Sequence, residues 1–474
     1  MNVLTKSDFD KETARVLELS AAAVKVNDEE KLRSRLIDDL IMTAAFGDAE
    51  TAARARWTIR AAAAALGAVP ASIQDLYMAM GRGEAGGFTV PAINIRTLTY
   101  DMARTLLRTA RKIDCGAFIF ELARSEMGYS KQEPADYAAT VLAAGIKEGW
   151  RGPVFIQGDH IQVSTKKYAA DSGRELSDIE DIIRKAVLAG FYNIDIDAST
   201  LVDLSRKGHK EQQRLNYDLT ARFTKLIRSI EPKGLTVSVG AEIGEVGGRN
   251  STAEEFEAFM EGLGAALKAD GVGPSISKIS VQTGTSHGGV PLPGGGVADV
   301  KLDFSVLESI GKLARSKYGL SGSVQHGAST LPEELFDRFP GCSTSEIHLA
   351  TGFQNIFYEH PALPADLRDE MYGYVKKNHG AEKKSSETET QFLYRMRKQA
   401  LGPFKKRIWE LPADVRGEIM KALEEKLGLI LGKLNVAGTR AVVEKHVRPK
   451  AVVPPMEQFL RDGRKKASVN VEGE

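Results

Sequence analysis

From residue 89 onward the chain alternates eight short β-prone runs with longer helical ones, and no other feature narrows the fold as much. The runs are TVPAINI (89–95), GAFIFEL (116–122), PVFIQGD (153–159), NIDID (193–197), LTVSVGAE (235–242), KISVQTG (278–284), SGSVQHG (321–327) and SEIHLAT (345–351). Between them TYDMARTLLRTARKI, DYAATVLAAGIKEG, DIEDIIRKAVLAG and FSVLESIGKLARSKYG carry apolar residues at helical spacing. Parallel strands need crossovers of this kind, so the pattern predicts an α/β fold, a (β/α)8 or TIM barrel. A doubly wound open sheet shares the alternation and is the competing architecture. Polar residues favour the barrel. Asn94, Glu121, Asp159, His160, Asp197, Glu242, His287, His326 and His348 all fall in or just beyond the C-terminal ends of the runs. A barrel gathers those ends on one face, whereas ordinary loop polarity would scatter histidines over both.

The flanks read differently. ETARVLELSAAAVKV, EKLRSRLIDDLIMTAAF and TAARARWTIRAAAAALG predict helices through residues 8–83, with the alanines of 61–71 taken as tight helix packing. Past residue 360, KKNHGAEKKSSETETQ (376–391) reads as an exposed linker. RIWELPADVRGEIMKALEEKLGLILGKL (407–434) reads as a turn and a long amphipathic helix, and RDGRKKASVNVEGE as a polar tail. The expected division is a helical N-terminal extension over 1–88, the barrel over 89–360, and a helical C-terminal extension with its tail over 361–474. A formal charge of +1 offers no strong field for nucleic acid or an anionic membrane. No 18-residue apolar run suggests a membrane span, and the opening residues lack the pattern of a signal peptide. Cys115 and Cys342 form no disulfide framework, which suits a reducing, cytoplasmic location.

Three histidines stand in distinctive settings: His160 in GDH, His287 in TSHGG and His326 in QHGAS. Imidazoles gathered with a carboxylate such as Glu242 hold zinc while leaving a position open to substrate. The plainer alternative is that each histidine caps its loop. Asp195 and Asp197 alternate with Ile194 and Ile196, so both acids face one side of their strand, where a structural salt bridge competes with a role at the site. Glu245 and Arg249, in EIGEVGGRN, either pair electrostatically or solvate a loop.

The pieces GDH (158–160), IDAS (196–199), AEIGEVGG (241–248), TSHGGV (285–290), HGAS (326–329) and LATGFQ (349–354), in this order, resemble the class II, zinc-dependent fructose-bisphosphate and tagatose-bisphosphate aldolases over residues 89–357. The resemblance implies that His160, His287 and His326 bind Zn2+, with Glu242 a further, state-dependent ligand. It implies that Asp159 shuttles a proton to and from the aldol hydroxyl and that Asp197 organises the metal and substrate region. Gly288, Ser329 and Thr351 match the phosphate-binding surface, and Asn94 a substrate-facing asparagine. Members commonly form dimers and bind a monovalent cation, Na+ or K+, beside the phosphate. The implied partner is therefore a phosphorylated sugar of carbohydrate metabolism, handled by a homodimer or higher homo-oligomer.

The departures are specific. Arg249 and Asn250 stand where the family's loop carries glutamates, leaving Glu254 or Glu255 as substitutes from a rearranged loop. His348 and Ala350 replace an asparagine and an aspartate in the last strand, which puts His348 among the substrate-binding candidates. Glu121 sits where a small polar residue is usual, positioned either to repel phosphate or to meet another polar group. The expected activity is cleavage of a phosphorylated ketose. A metal-dependent lyase or isomerase acting on another sugar or keto acid, and a non-catalytic aldolase-like subunit, remain open beside it.

Overall fold

Eight parallel strands close into a barrel in the computed structural model, which describes residues 1–244, 248–284, 292 and 302–464. In chain order the strands are β1 (Leu17–Leu19), β2 (Val24–Val26), β3 (Ala68–Ala71), β4 (Val90–Asn94), β5 (Ile119–Ala123), β6 (Gly152–Gln162), β7 (Asn193–Asp197), β8 (Ser238–Glu242), β9 (Lys278–Val281), β10 (Ser323–Gln325) and β11 (Thr344–Leu349). Strands β4 to β11 form the barrel: each pairs in parallel with its neighbour, and β11 returns to β4 through Glu346–Val90 and Leu349–Ile93. This closure excludes the open sheet. All eight predicted runs become barrel strands.

Helices between the strands bury one stripe each. In Thr99–Lys112 the buried residues Ala103, Leu106, Leu107 and Ala110 recur at spacings of three and four, the face that packs on a neighbour. Each leucine-sized side chain so buried contributes about 1.5–3 kcal/mol. The helix Ala413–Lys433 packs on Thr99–Lys112 and buries Leu423, Leu427, Ile430 and Leu431. Near the C-terminus, Met456–Arg464 lies against Ala49–Ala65, where the Trp57 indole donates to the Pro454 carbonyl at 2.8 Å. No helix of the described residues is long and apolar enough to cross a membrane.

The helical reading of residues 8–83 needs correction. Within ETARVLELSAAAVKV, β1 and β2 form an antiparallel hairpin, with Leu17 against Val26 and Leu19 against Val24. Their side chains alternate inward and outward, Leu17 and Val24 buried and Glu18 and Lys25 exposed, a period of two that the surrounding alanines masked. Likewise AAAAALGAVPA is helical only to Ala65; Ala68–Ala71 is β3, paired with the first half of β6 from Gly152 to Phe155. Among the described residues β3 has no partner on its other side, so Pro70 costs no ladder hydrogen bond there. The following helix Gln74–Gly81 brings Tyr77 into the lumen, where its hydroxyl donates to Glu346.

Candidate metal and catalytic site

A strand points alternate side chains into the barrel, so Asp159 and His160, adjacent in β6, should face opposite ways. Both nevertheless face the lumen. Gly158 pairs with Ile194 and Ile161 with Ile196, so two residues of β6 oppose the single Asp195 of β7. The extra residue is accommodated at His160, whose φ is +38°, a left-handed conformation unusual for a side chain of this kind. A bulge of this type turns a side chain at a functional end of a sheet. Here it sets an imidazole beside a carboxylate.

Around them the C-terminal ends of five strands converge. His160 Nδ1 lies 3.4 Å from Glu242 Oε2, and His326 Nε2 lies 2.9 Å from Glu242 Oε1. One ligand atom each from His160, Glu242 and His326 lie within 4.8 Å of one another. Asp197 Oδ2 sits 3.3 Å from His160 Nδ1 and also accepts from Gln162 Nε2 at 2.7 Å, while Oδ1 accepts from the Ser199 hydroxyl at 2.7 Å. Held in this way, Asp197 constrains the His160 ring through the same Nδ1 that faces Glu242. Asp159 Oδ1 lies 3.2 Å from His348 Nδ1 and 4.0 Å from His326 Nδ1. The three imidazoles form a column: His160 to His326 at 4.2 Å between centroids, His326 to His348 at 3.9 Å and nearly parallel.

Two residues further down the strands lies a buried polar layer that the sequence reading did not assemble. Lys278 Nζ donates to Asp195 at 2.8 Å, Glu346 at 2.6 Å and Gln157 at 2.8 Å. Gln157 donates in turn to Glu346 at 2.7 Å. Gly240 is required beside this pair, since a Cβ there would stand 2.3 Å from Asp195 Oδ1 and 2.7 Å from Lys278 Cε. A signal was present in IDID and SEIH, whose i, i+2 polar residues share a face, but nothing local announced Lys278 as their partner. Glu121 meets a polar group, its Oε2 lying 2.8 Å from His348 Nδ1.

Electrostatics follow from this packing. Burial pushes the Glu121 carboxyl up to about 8, although His348 opposes it. Burial disfavours charge on His160, yet Asp159 and Glu242 outweigh it and hold the imidazole well above its ordinary value. His348 is raised in the same way, against burial, by Glu121 and Asp159. Burial, followed by His348 and His160, pushes His326 well below its ordinary value and keeps it neutral. For Asp159, burial opposes ionisation but His160 and His348 prevail, leaving the carboxyl well below the usual range. The carboxylates thus demand positive charge at this spot. A divalent metal bound by two neutral imidazoles and a carboxylate meets the same demand, and this buried N2O donor set fits zinc.

The remaining candidates lie at the mouth. Asn94 is buried and donates its amide to Glu126. Glu126 also holds Arg96 at 2.7 Å, and Arg96 reaches Thr351 Oγ1 at 3.4 Å and Gln354 Oε1 at 3.3 Å; this arginine was missed in sequence because NIR resembles an ordinary strand exit. Ser329 Oγ accepts from the Gly352 amide at 3.1 Å at the start of the helix Thr351–Glu359. His287, Gly288 and Glu245 lie outside the described residues. Arg249 pairs with Glu255, whose carboxylate also accepts from the Thr252 amide at 3.0 Å in a capping box, and Glu254 is exposed. Glu255 is therefore committed to its helix.

The family model described as "Fructose-bisphosphate aldolase class-II" matches residues 75–408. Among curated proteins, none matches at the level of sequence. Among solved structures, the YdjI aldolase from Escherichia coli K12 is similar at 15% identity, covering 77% of this chain and 98% of that one, with a TM-score of 0.45. A fructose-bisphosphate aldolase from Campylobacter jejuni is 16% identical over 76% of this chain and 93% of that one, with a TM-score of 0.44. A protein from Sinorhizobium meliloti 1021 described as a probable tagatose 6 phosphate kinase is 15% identical over 79% and 97%, with a TM-score of 0.50.

Proposed function

Because the chain belongs to the class-II fructose-bisphosphate aldolase family, we propose that it is a zinc-dependent aldolase that reversibly cleaves a phosphorylated ketose, fructose-1,6-bisphosphate or a close analogue, into dihydroxyacetone phosphate and an aldehyde. Support comes from the convergence of His160, Glu242 and His326 within 4.8 Å at the C-terminal end of the barrel, with Asp159 alongside. His160, Glu242 and His326 would hold the ion, which supplies Lewis acidity toward the negative charge that develops on the ketone oxygen. Asp159 takes the proton of the hydroxyl on the fourth carbon as the bond between the third and fourth carbons breaks, and returns it in condensation. Against burial, the neighbouring His160 and His348 rings favour the ionised carboxylate that a base in the cleavage direction needs.

Asp197 fixes the orientation of the His160 ring. Ser329, Thr351 and the amides at the start of Thr351–Glu359 hold the phosphate, with Asn94 facing the sugar and a monovalent cation beside the anion. Anchoring the phosphate fixes the distance from the reacting carbons to Asp159. His348, sequestered against Glu121 and Asp159, acts on substrate through Asp159 rather than by touching phosphate. The test is an aldol-cleavage assay on fructose- and tagatose-bisphosphates and their monophosphates, with and without chelator. Chelator-sensitive release of dihydroxyacetone phosphate from at least one is expected. Absence of cleavage on all four, in zinc-loaded protein, would sink the proposal.

A further inference from the structure

Six carboxylates line this stretch of the lumen, and all are nearly inaccessible: Glu121, Asp159, Asp195, Asp197, Glu242 and Glu346 are each at most 4% exposed. Among the described residues Lys278 is the one lysine or arginine that bonds to any of them. Buried charge is expensive unless it is compensated. The acids crowd most closely around His348. Glu121 Oε2 stands 2.8 Å and Asp159 Oδ1 3.2 Å from its Nδ1, and His326 presents its own Nδ1 to the same Asp159 oxygen at 4.0 Å.

Asp159 Oδ1 and Glu121 Oε1 lack a hydrogen-bond partner, and His348, only 4% exposed, faces Glu121 and Asp159 with Nδ1 and Glu346 with Nε2 at 2.8 Å without a well-formed hydrogen bond at either nitrogen. Buried polar groups nearly always make well-formed hydrogen bonds, so an imidazole crowded by three carboxylates without one requires an explanation. Donors bound at zinc-like distances in a tetrahedral set stand about 3.3 Å apart, close to the separations seen here.

We infer that the barrel holds a second divalent metal ion, bound by Asp159, His348 and Glu121, with His326 as the wall shared with the first site. The mixed imidazole and carboxylate donors suit a first-row ion such as zinc, cobalt or manganese. His326 faces Glu242 with Nε2 and Asp159 with Nδ1, so one ring lies between the two ions. The inference rests on the first site only through that shared ring.

The test counts metal. Chelator-stripped full-length protein is titrated with Co2+ alone, and bound cobalt per chain is measured after buffer exchange. Two ions per wild-type chain are expected, falling to one in His348→Asn and to one in His160→Asn, with the second ion in His348→Asn weakened at least tenfold. One ion per wild-type chain, lost in His160→Asn and retained in His348→Asn, overturns the second site and leaves the first standing. No bound ion in the wild type overturns both. Glu121→Gln, nearly isosteric, repeats the measurement should His348→Asn not fold by circular dichroism.

Discussion

Replacing Lys278 by methionine probes how the buried layer beneath the site is held together. The ammonium, 1% exposed, is the cation shared by Asp195 and Glu346. Methionine keeps the length of the side chain and removes the charge. Glu346 retains the Tyr77 hydroxyl, Gln157 Nε2 at 2.7 Å and His348 Nε2 at 2.8 Å. Asp195 fares worse. Its Oδ1 has no hydrogen-bond partner, and His348 Nε2 stands 3.8 Å from Oδ2. Removing one partner of a buried pair costs about 3–5 kcal/mol when the other stays charged. Asp195 escapes part of that cost by taking a proton, because burial already pushes its carboxyl up to about 6 with Lys278 opposing. Loss of Lys278 raises it further, so the variant's folded state binds more protons than the wild type's and its deficit shrinks as pH falls. The expected destabilisation is ~3–5 kcal/mol at pH 8 and roughly half of that or less at pH 5.5. Urea unfolding followed by tryptophan fluorescence measures both, and Lys278→Met combined with Asp195→Asn should recover most of the loss. A cost below about 1 kcal/mol at pH 8, or one equal at the two pH values, would refute the assignment of Lys278 as the charge that holds this layer.

Three further outcomes are expected. Asp159→Asn should lower kcat for ketose cleavage by roughly 10²- to 10⁴-fold while at least one metal ion per chain remains, and unchanged turnover would remove Asp159 from the proton step. In metal-free protein, the stability contributed by protonated Glu121 is complete below its ordinary value of 4.5 and lost as pH rises toward about 8, because the folded chain holds that proton and the unfolded chain does not. Glu121→Gln should therefore flatten the fall of Tm across this window; superimposable curves for the two proteins count against it. At the mouth, a Cβ on Gly352 would meet the Ser329 carbonyl oxygen at 2.5 Å, so Gly352→Ala must displace the turn. KM for the phosphorylated ketose should rise several-fold with a smaller change in kcat, and a kcat loss at constant KM would place the phosphate elsewhere.

Much of the site was legible because its spacing is local. Asp195 and Asp197, like Glu346 and His348, are two residues apart in a strand and so share a face whatever the rest of the chain does. Strand ends carrying histidine and carboxylate also pointed to one rim, since parallel strands wound in one sense carry all their C-terminal ends together. Other features were illegible for the opposite reason. A period of two predicts Asp159 and His160 on opposite faces; they share one because β6 and β7 slip by a residue between Gly158 and Ile161. Nor could spacing show that Lys278 would meet both Asp195 and Glu346, that Tyr77 would reach the lumen from a helix before β4, or that Glu255 would cap its own helix. The alternation of strand and helix, and the face each residue takes, are written in the backbone period and belong to the sequence alone. Which strands become neighbours, where one slips against the next, and which buried charge finds which partner are decided by contacts between residues far apart in the chain, and those exist only once the barrel has closed.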